Sequence, residues 1–402
     1  MRVLIFDVSS RLGAVGGAQR VAANLFKDLP KYGIDTYYIG YSTEYLNKNS
    51  HTFILKESKQ KSMKATFEKA NMHWLIESRP ARIAYYSFYS ARGINTSELG
   101  EWVKKVNPDI VVSNSIADFV VLRRIRDLLP KARLLYIEHA NASGEYRSTF
   151  DYNILPLTFG TGVFVGLENA RKRFFRFFDG VIALNKEQKS AVSRYNKNVT
   201  VIHSSSLLPA VKIINKRLNA MRDRISPKGN RIVLYLGRLA EAQKNVSTLI
   251  KAFKAIRDRR INLLIVGEGK SMPLYKNLAS EDERIIFTGR VPEKDLGYYY
   301  SMSDLYVLPS KWESFNATFI EAATFGLPLL LSEKSINSDI KERFGGRLFT
   351  FNPEDAAELK KKLVEFFSDA KLRHRLIELS HEIAKEYSKD KQIQSYAETL
   401  KR

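Results

Sequence analysis

Short apolar runs recur along the chain, each followed by a small-residue or polar break and then by a stretch with helical spacing. In the first half the runs are RVLIFDV (2–8), TYYIGYS (36–42), DIVVSNS (109–115), RLLYIEH (133–139) and DGVIALN (179–185), with helices predicted over 17–31 and about 117–129. The second half repeats the rhythm with RIVLYLG (231–237), a helix from about 245, INLLIVGEG (261–269), RIIFTG (284–289), LYVLPS (305–310) and LPLLLS (327–332). Near-continuous apolar strands alternating with helices predict parallel α/β sheets covered on both faces. Between the two series, residues 203–230 are polar, basic and poorly periodic, which marks a domain junction. A chain of 402 residues also exceeds what one hydrophobic core usually serves. The expected organisation is an acceptor-side domain over 1–205, a second domain over 206–385, and a C-terminal helix over 386–402 returning toward the first. Doubly wound sheets bind ligands beyond the carboxyl ends of their strands, so a ligand shared by two such domains is expected in a central cleft.

Composition removes several classes of function. There is no cysteine, which excludes disulfides, thiolate metal sites and a cysteine nucleophile, and the six histidines show no metal-ligand spacing. The N-terminus MRVLIFDVSS looks like a first strand and lacks the features of a signal peptide. The most apolar run, ILPLTFGTGVFVGL (154–167), is too short and too interrupted to span a bilayer. Sequons fall at Asn95, Asn141, Asn198, Asn245 and Asn316; the last two lie inside proposed active-site segments where a glycan would block function, so they are read as chance and the chain is expected to be cytoplasmic. The net charge of +22 calls for an anionic partner. Basic clusters stand at RRIR (123–126) and RKRFFRFF (171–178) without any nucleic-acid-binding signature, so no specific nucleic acid is expected. In NARKRFFRFF (169–178), cations alternate with phenylalanines, which suggests an interfacial helix on an anionic membrane, the rings entering the acyl boundary. The bland alternative is a helix packed on its sheet.

Chemistry gathers in KWESFNATFIEAATFGLP (311–328). Ser314 or Asn316 is suited to cap a helix starting near Ala317, and Gly326 to end it. Glu313 then lies on the entering loop and Glu321 inside the helix. A helix N-terminus offers partial positive charge and backbone N–H groups, so the space before Asn316 and Ala317 suits a phosphate. Two acceptor-only carboxylates flanking it would grip hydroxyl groups on either side of a diphosphate, the layout of a nucleotide sugar.

In LYLGRLAEAQKN (234–245), Arg238 follows a strand and Lys244 precedes a helix for which Asn245 is the expected cap. Two cations meeting there would stabilise a diphosphate leaving group without a metal. GAVGGAQR (13–20) lacks the G-x-G-x-x-G spacing of a dinucleotide fold, though Gly16 and Gly17 would let backbone approach a phosphate or sugar just before a helix. GEGKS (267–271) has Leu264 where a P-loop needs its first glycine, which excludes that reading. His139 ends a strand and faces the same cleft; as a lone histidine it is otherwise an ordinary structural residue.

Together, the E-x7-E pattern followed by EAATFGLP, the LGRL…K segment and FTGRVPEKDLGYYYSMSDLYVLPS resemble glycosyltransferase family 4, the retaining nucleotide-sugar enzymes of the GT-B fold. The likeness is strongest over 231–350. It implies two Rossmann-like doubly wound domains facing a central cleft, with Arg238 and Lys244 on the donor diphosphate, Glu313 on the transferred sugar and Glu321 on the ribose hydroxyls. Phe315, Asn316 and Ala317 would line the donor site, backbone near Val291 would meet the base, the Gly16–Gly17 loop would close over the phosphates, and His139 would touch the sugar near its reacting carbon. The implied reaction moves a hexose-type sugar from a UDP-, GDP- or ADP-sugar to a glycan, lipid-linked or small-molecule acceptor, with no metal and no cofactor, the nucleotide sugar being a co-substrate. Three positions depart from the family's habit: IHSSSLLPA (202–210) replaces a P-N-G stretch, Gln19 stands for a glutamate, and Asn316 for a glycine. A sugar-phosphate synthase or nucleotide-sugar epimerase of the same fold, and a nucleic-acid-binding protein, are the rival readings.

Overall fold

The computed structural model of the protein describes residues 1–7, 17–41, 51–55, 96–114, 119–139, 167–208 and 212–402. The chain divides into two compact units, Met1–Ile202 together with Ile393–Arg402, and His203–Gln392. Each is an α/β unit built on a parallel sheet.

In the first unit the strands are β1 (Arg2–Asp7), β2 (Asp35–Tyr41), β3 (Thr52–Leu55), β4 (Ile110–Ser113), β5 (Arg133–Glu138), β6 (Gly180–Ala183) and β7 (Val199–Val201). They lie in the order β3-β2-β1-β4-β5-β6-β7, parallel throughout. Val3, Leu4, Ile5 and Phe6 of β1 are fully buried, as expected where helices cover both faces. The second unit has β8 (Arg231–Leu236), β9 (Ile261–Val266), β10 (Ile285–Gly289), β11 (Leu305–Leu308), β12 (Leu329–Ser332) and β13 (Thr350–Phe351), in the order β10-β9-β8-β11-β12-β13, again parallel. Strand order reverses between β1 and β4 and between β8 and β11. Connections leave these neighbours in opposite directions, which opens a crevice beyond their carboxyl ends, the place where such sheets bind ligands.

Two sequence expectations need correction. The stretch 203–230 contains a helix, Asn215–Ile225, of which only Ile225 is buried. Arginines hold it: Arg222 Nη1 donates to Met302 O (2.6 Å), and Arg217 pairs with Asp295 (2.7 Å) and lies over the Tyr298 ring (4.6 Å). A helix attached by polar tips has no apolar stripe for periodicity to find.

The second correction concerns the basic aromatic stretch, which forms the end of the helix Leu167–Phe177. Phe174, Phe175 and Phe178 are buried in the core of the first unit and Phe177 packs partly against it, so these rings do not reach a lipid phase. Phe174 meets Tyr136 edge-on at 4.9 Å, and Phe175 stacks on Tyr195 at 5.8 Å. Asn196 Nδ2 donates to the carbonyls of Phe175 and Phe178, both at 2.8 Å, satisfying acceptors that the helix end leaves open. Lys172, Arg173 and Arg176 stay exposed. Phe174→Ala should therefore cost about 3–5 kcal/mol in denaturant unfolding, whereas Lys172→Ala should leave stability unchanged; a wild-type midpoint for Phe174→Ala would contradict the packing described.

Candidate active site

Chain topology places the chemistry of the second unit at its switch point: Arg238 follows β8, and Glu313 follows β11. After β8 the chain makes a short helix, Glu241–Lys244, then turns at Asn245 into the helix Val246–Lys254. Asn245 does not cap that helix with its side chain, contrary to the sequence expectation. It adopts a left-handed backbone (φ 52°), and its Nδ2 donates to Pro309 O (3.1 Å) and Pro353 O (2.7 Å). The asparagine is a joint fastening the cation-bearing segment to the loop after β11, and asparagine tolerates this backbone better than most residues.

The loop after β11 leads into the helix Ala317–Thr324, capped as expected by Asn316, whose Oδ1 accepts from Thr318 N at 2.8 Å. Thr318 Oγ1 also donates to Asn316 Oδ1 (2.6 Å), which leaves Tyr306 OH of β11 to donate to Thr318 Oγ1 (2.6 Å). Burial raises the Tyr306 phenol far above its usual range, so it stays a neutral donor. Phe315 is buried and its ring faces Tyr387 (5.3 Å, edge-on) and His203 (5.8 Å), so it fixes the loop through packing.

Lys244 Nζ donates to Glu313 Oε1 at 2.6 Å, with side chains only 13% and 7% exposed. Arg238 is exposed, and its Nη2 donates to Gln243 Oε1 at 2.9 Å. Gln243 Nε2 in turn donates to Trp312 O (3.3 Å) and lies 3.5 Å from Glu313 Oε2. Arg238, Lys244 and Glu313 thus form one charged cluster, and Gln243, which sequence reading passed over, links it. No signal marked Gln243, because glutamine is an ordinary residue in a helical turn. Glu321 lies deeper, fully buried, with Oε2 accepting from Tyr300 OH at 2.9 Å. Val291 is partly buried just before the helix Glu293–Ser301.

The GEGKS stretch supports the Arg238 loop. Leu239 N donates to Glu268 O (2.9 Å), and Ser271 N donates to Leu239 O (3.1 Å). A Cβ on Gly269 would stand 2.2 Å from Leu239 O, and one on Gly267 2.0 Å from Gly237 O. Gly269→Ala must therefore displace the backbone beside Arg238: a stability loss of about 1–3 kcal/mol is expected, with a fall in activity, and wild-type values of both would refute the contact.

In the first unit, Gly17 opens the helix Gly17–Asp28, while Gly16 lies outside the described residues. His139 is half-buried after β5, its Nε2 hydrogen-bonded to Asn114 Oδ1. Asn114 Nδ2 donates to Ala18 O at 2.6 Å, which fixes the amide and makes His139 Nε2 the donor. Burial lowers the His139 pKa to about 4, so the imidazole is neutral at physiological pH. Asn114, at the end of β4, is a second residue that the sequence did not flag.

Residues 216–382 match the glycosyl transferases group 1 family. An uncharacterized glycosyltransferase of Haemophilus influenzae is 24% identical over 399 residues, 96% of each chain. Among solved structures, sucrose-phosphate synthase from Thermosynechococcus elongatus aligns with all of this chain and 98% of its own (17% identity, TM-score 0.71). Anabaena HepE in complex with UDP-glucose aligns with all of this chain and 99% of its own (16% identity, TM-score 0.70). The fold is thus two Rossmann-like parallel-sheet domains of the GT-B type, and the family match covers most of the second unit, including the Arg238, Lys244, Glu313 and Glu321 positions. Among the described residues, no helix is long and apolar enough to cross a membrane.

Proposed function

We propose that the protein is a family 4-type retaining glycosyltransferase that moves a hexose-type sugar from a nucleoside-diphosphate donor to a glycan, lipid-linked or small-molecule acceptor. The observation that carries this reading is the Arg238–Gln243–Glu313–Lys244 cluster beyond β8 and β11, beside the capped start of the helix Ala317–Thr324. HepE, a neighbour in fold, was solved with UDP-glucose.

Arg238 and Lys244 take the donor diphosphate, and the helix start adds backbone donors to it. As the bond between the anomeric carbon and the diphosphate oxygen lengthens, negative charge grows on the leaving group, where these preorganised donors stabilise it without a metal ion. Glu313, once Lys244 turns to phosphate, accepts from hydroxyl groups of the transferred sugar, and Glu321 from the ribose. The departing diphosphate takes the acceptor's proton on the face it leaves, which gives retention through an ion-pair-like transition state. With Phe174 and Phe175 packed inside, the helix Leu167–Phe177 presents the exposed cations Lys172, Arg173 and Arg176 to an anionic membrane; salt-sensitive sedimentation with anionic vesicles is the test of that partner.

The functional reading is tested by incubating the protein with UDP-, GDP- and ADP-sugars, with and without free sugars, sugar phosphates and lipid acceptors. Release of nucleoside diphosphate from one donor, accelerated by an acceptor, is expected. Inertness toward every donor, together with tight, salt-sensitive RNA or DNA binding, would favour the nucleic-acid reading.

A further inference from the structure

Gln243 is buried at 8% exposure, yet its side chain faces charges of both signs. Oε1 receives Arg238 Nη2 at 2.9 Å, while Nε2 is directed to Trp312 O at 3.3 Å and Glu313 Oε2 at 3.5 Å. Its backbone carbonyl also accepts from Lys311 N at 2.8 Å. Only one orientation of the amide fits: turned over, the NH2 would meet a guanidinium that only donates, and the oxygen would meet two acceptors. The amide therefore stands between an arginine and a glutamate that would attract each other strongly in a partly buried site.

We propose that Gln243 is a positioning residue that keeps Arg238 and Glu313 apart, so that the guanidinium remains available to a diphosphate and the carboxylate to a sugar. The inference rests on the nucleotide-sugar reading of this cluster. A neutral side chain with an acceptor at one end and a donor at the other meets the requirement. Leucine, of similar bulk, offers neither end, and Arg238 is then drawn onto Glu313. Glutamate retains the anchor for Arg238 but presents an oxygen to Trp312 O and Glu313. The charged groups at the amide are Arg238 and Glu313; Lys244 of the same helical turn is on Glu313, Glu241 is turned toward Ser247, and the neutral Tyr235 phenol donates to Arg238 O at 3.0 Å.

The test measures nucleotide release from the donor that the wild type uses, UDP-glucose being tried first, for wild type, Gln243→Leu, Gln243→Glu, Arg238→Ala and the Arg238→Ala/Gln243→Leu pair. Gln243→Leu should lower kcat roughly tenfold to a hundredfold, the size of a misplaced reacting group, with a smaller change in KM and cooperative unfolding retained. Gln243→Glu should also lose turnover despite its matched size and its hold on Arg238. On the Arg238→Ala background the Leu substitution should cost less than about threefold, because residues acting through one another are not additive. Wild-type kcat in both single variants, or a full multiplication of losses in the double variant, overturns the positioning role while an active wild type leaves the functional reading standing. A wild type inert toward every donor overturns that reading instead, and Gln243 with it.

Discussion

Glu313→Gln is expected to lower sugar transfer by roughly ten- to a hundredfold, corresponding to a lost hydrogen bond with a charged partner of about 1.5–3 kcal/mol. Binding of free UDP or the matching nucleoside diphosphate should be retained or tightened. The opposite signs follow from the ion pair: Lys244 is held by Glu313 at 2.6 Å, and neutralising the carboxylate releases the ammonium to phosphate. Glu321→Ala should behave differently, weakening donor and nucleotide binding together, in keeping with the ribose role proposed for it. Kinetics with isothermal titration of the nucleoside diphosphate separates the two. Wild-type turnover by Glu313→Gln, or parallel loss of transfer and nucleotide affinity, would remove Glu313 from the sugar.

Replacing either cation with alanine should lower turnover by about a hundredfold or more, as removal of one preorganised donor to developing charge does in other enzymes. The stability effects should diverge. Arg238 is exposed, so Arg238→Ala should unfold at nearly the wild-type midpoint. Lys244→Ala removes the cation that stands 2.6 Å from Glu313, whose side chain is 7% exposed, and losing one charge of a largely buried pair costs about 3 kcal/mol. The wild type should keep its rate in excess EDTA. Loss of activity there with recovery on adding magnesium would show that a metal supplies charge assigned here to Arg238 and Lys244, and equal midpoints for the two variants would contradict the buried pair.

Where side-chain pattern alone governs, the sequence was readable. β1 and β8 are continuous apolar runs ended by polar or small residues, and Asn316 caps the helix that its position announced. The helix Asn215–Ile225 is not legible, because arginine tips hold it, and for phenylalanines 174, 175 and 178 the sequence leaves membrane and sheet both open, because alternation with cations looks the same on either; packing in the core decides for the sheet. Asn245 has the right residue type and position for a cap but a left-handed backbone, which composition does not encode.

By itself, the sequence determined that this is an α/β chain of parallel sheets, and that Arg238, Lys244, Glu313 and Glu321 stand at or beyond strand ends, because strand length, apolar runs and helix caps are local properties. The tertiary structure decided which of them meet. Parallel pairing of β8 with β11 joins segments roughly seventy residues apart, and that contact pairs Lys244 with Glu313 and makes Gln243 the bridge to Arg238. The close approach of the GEGKS backbone to Gly237 and Leu239 likewise appears only when β8 and β9 lie side by side. Contacts between distant segments depend on strand order, which hydrogen bonding and burial fix across the whole sheet and no short stretch of sequence contains.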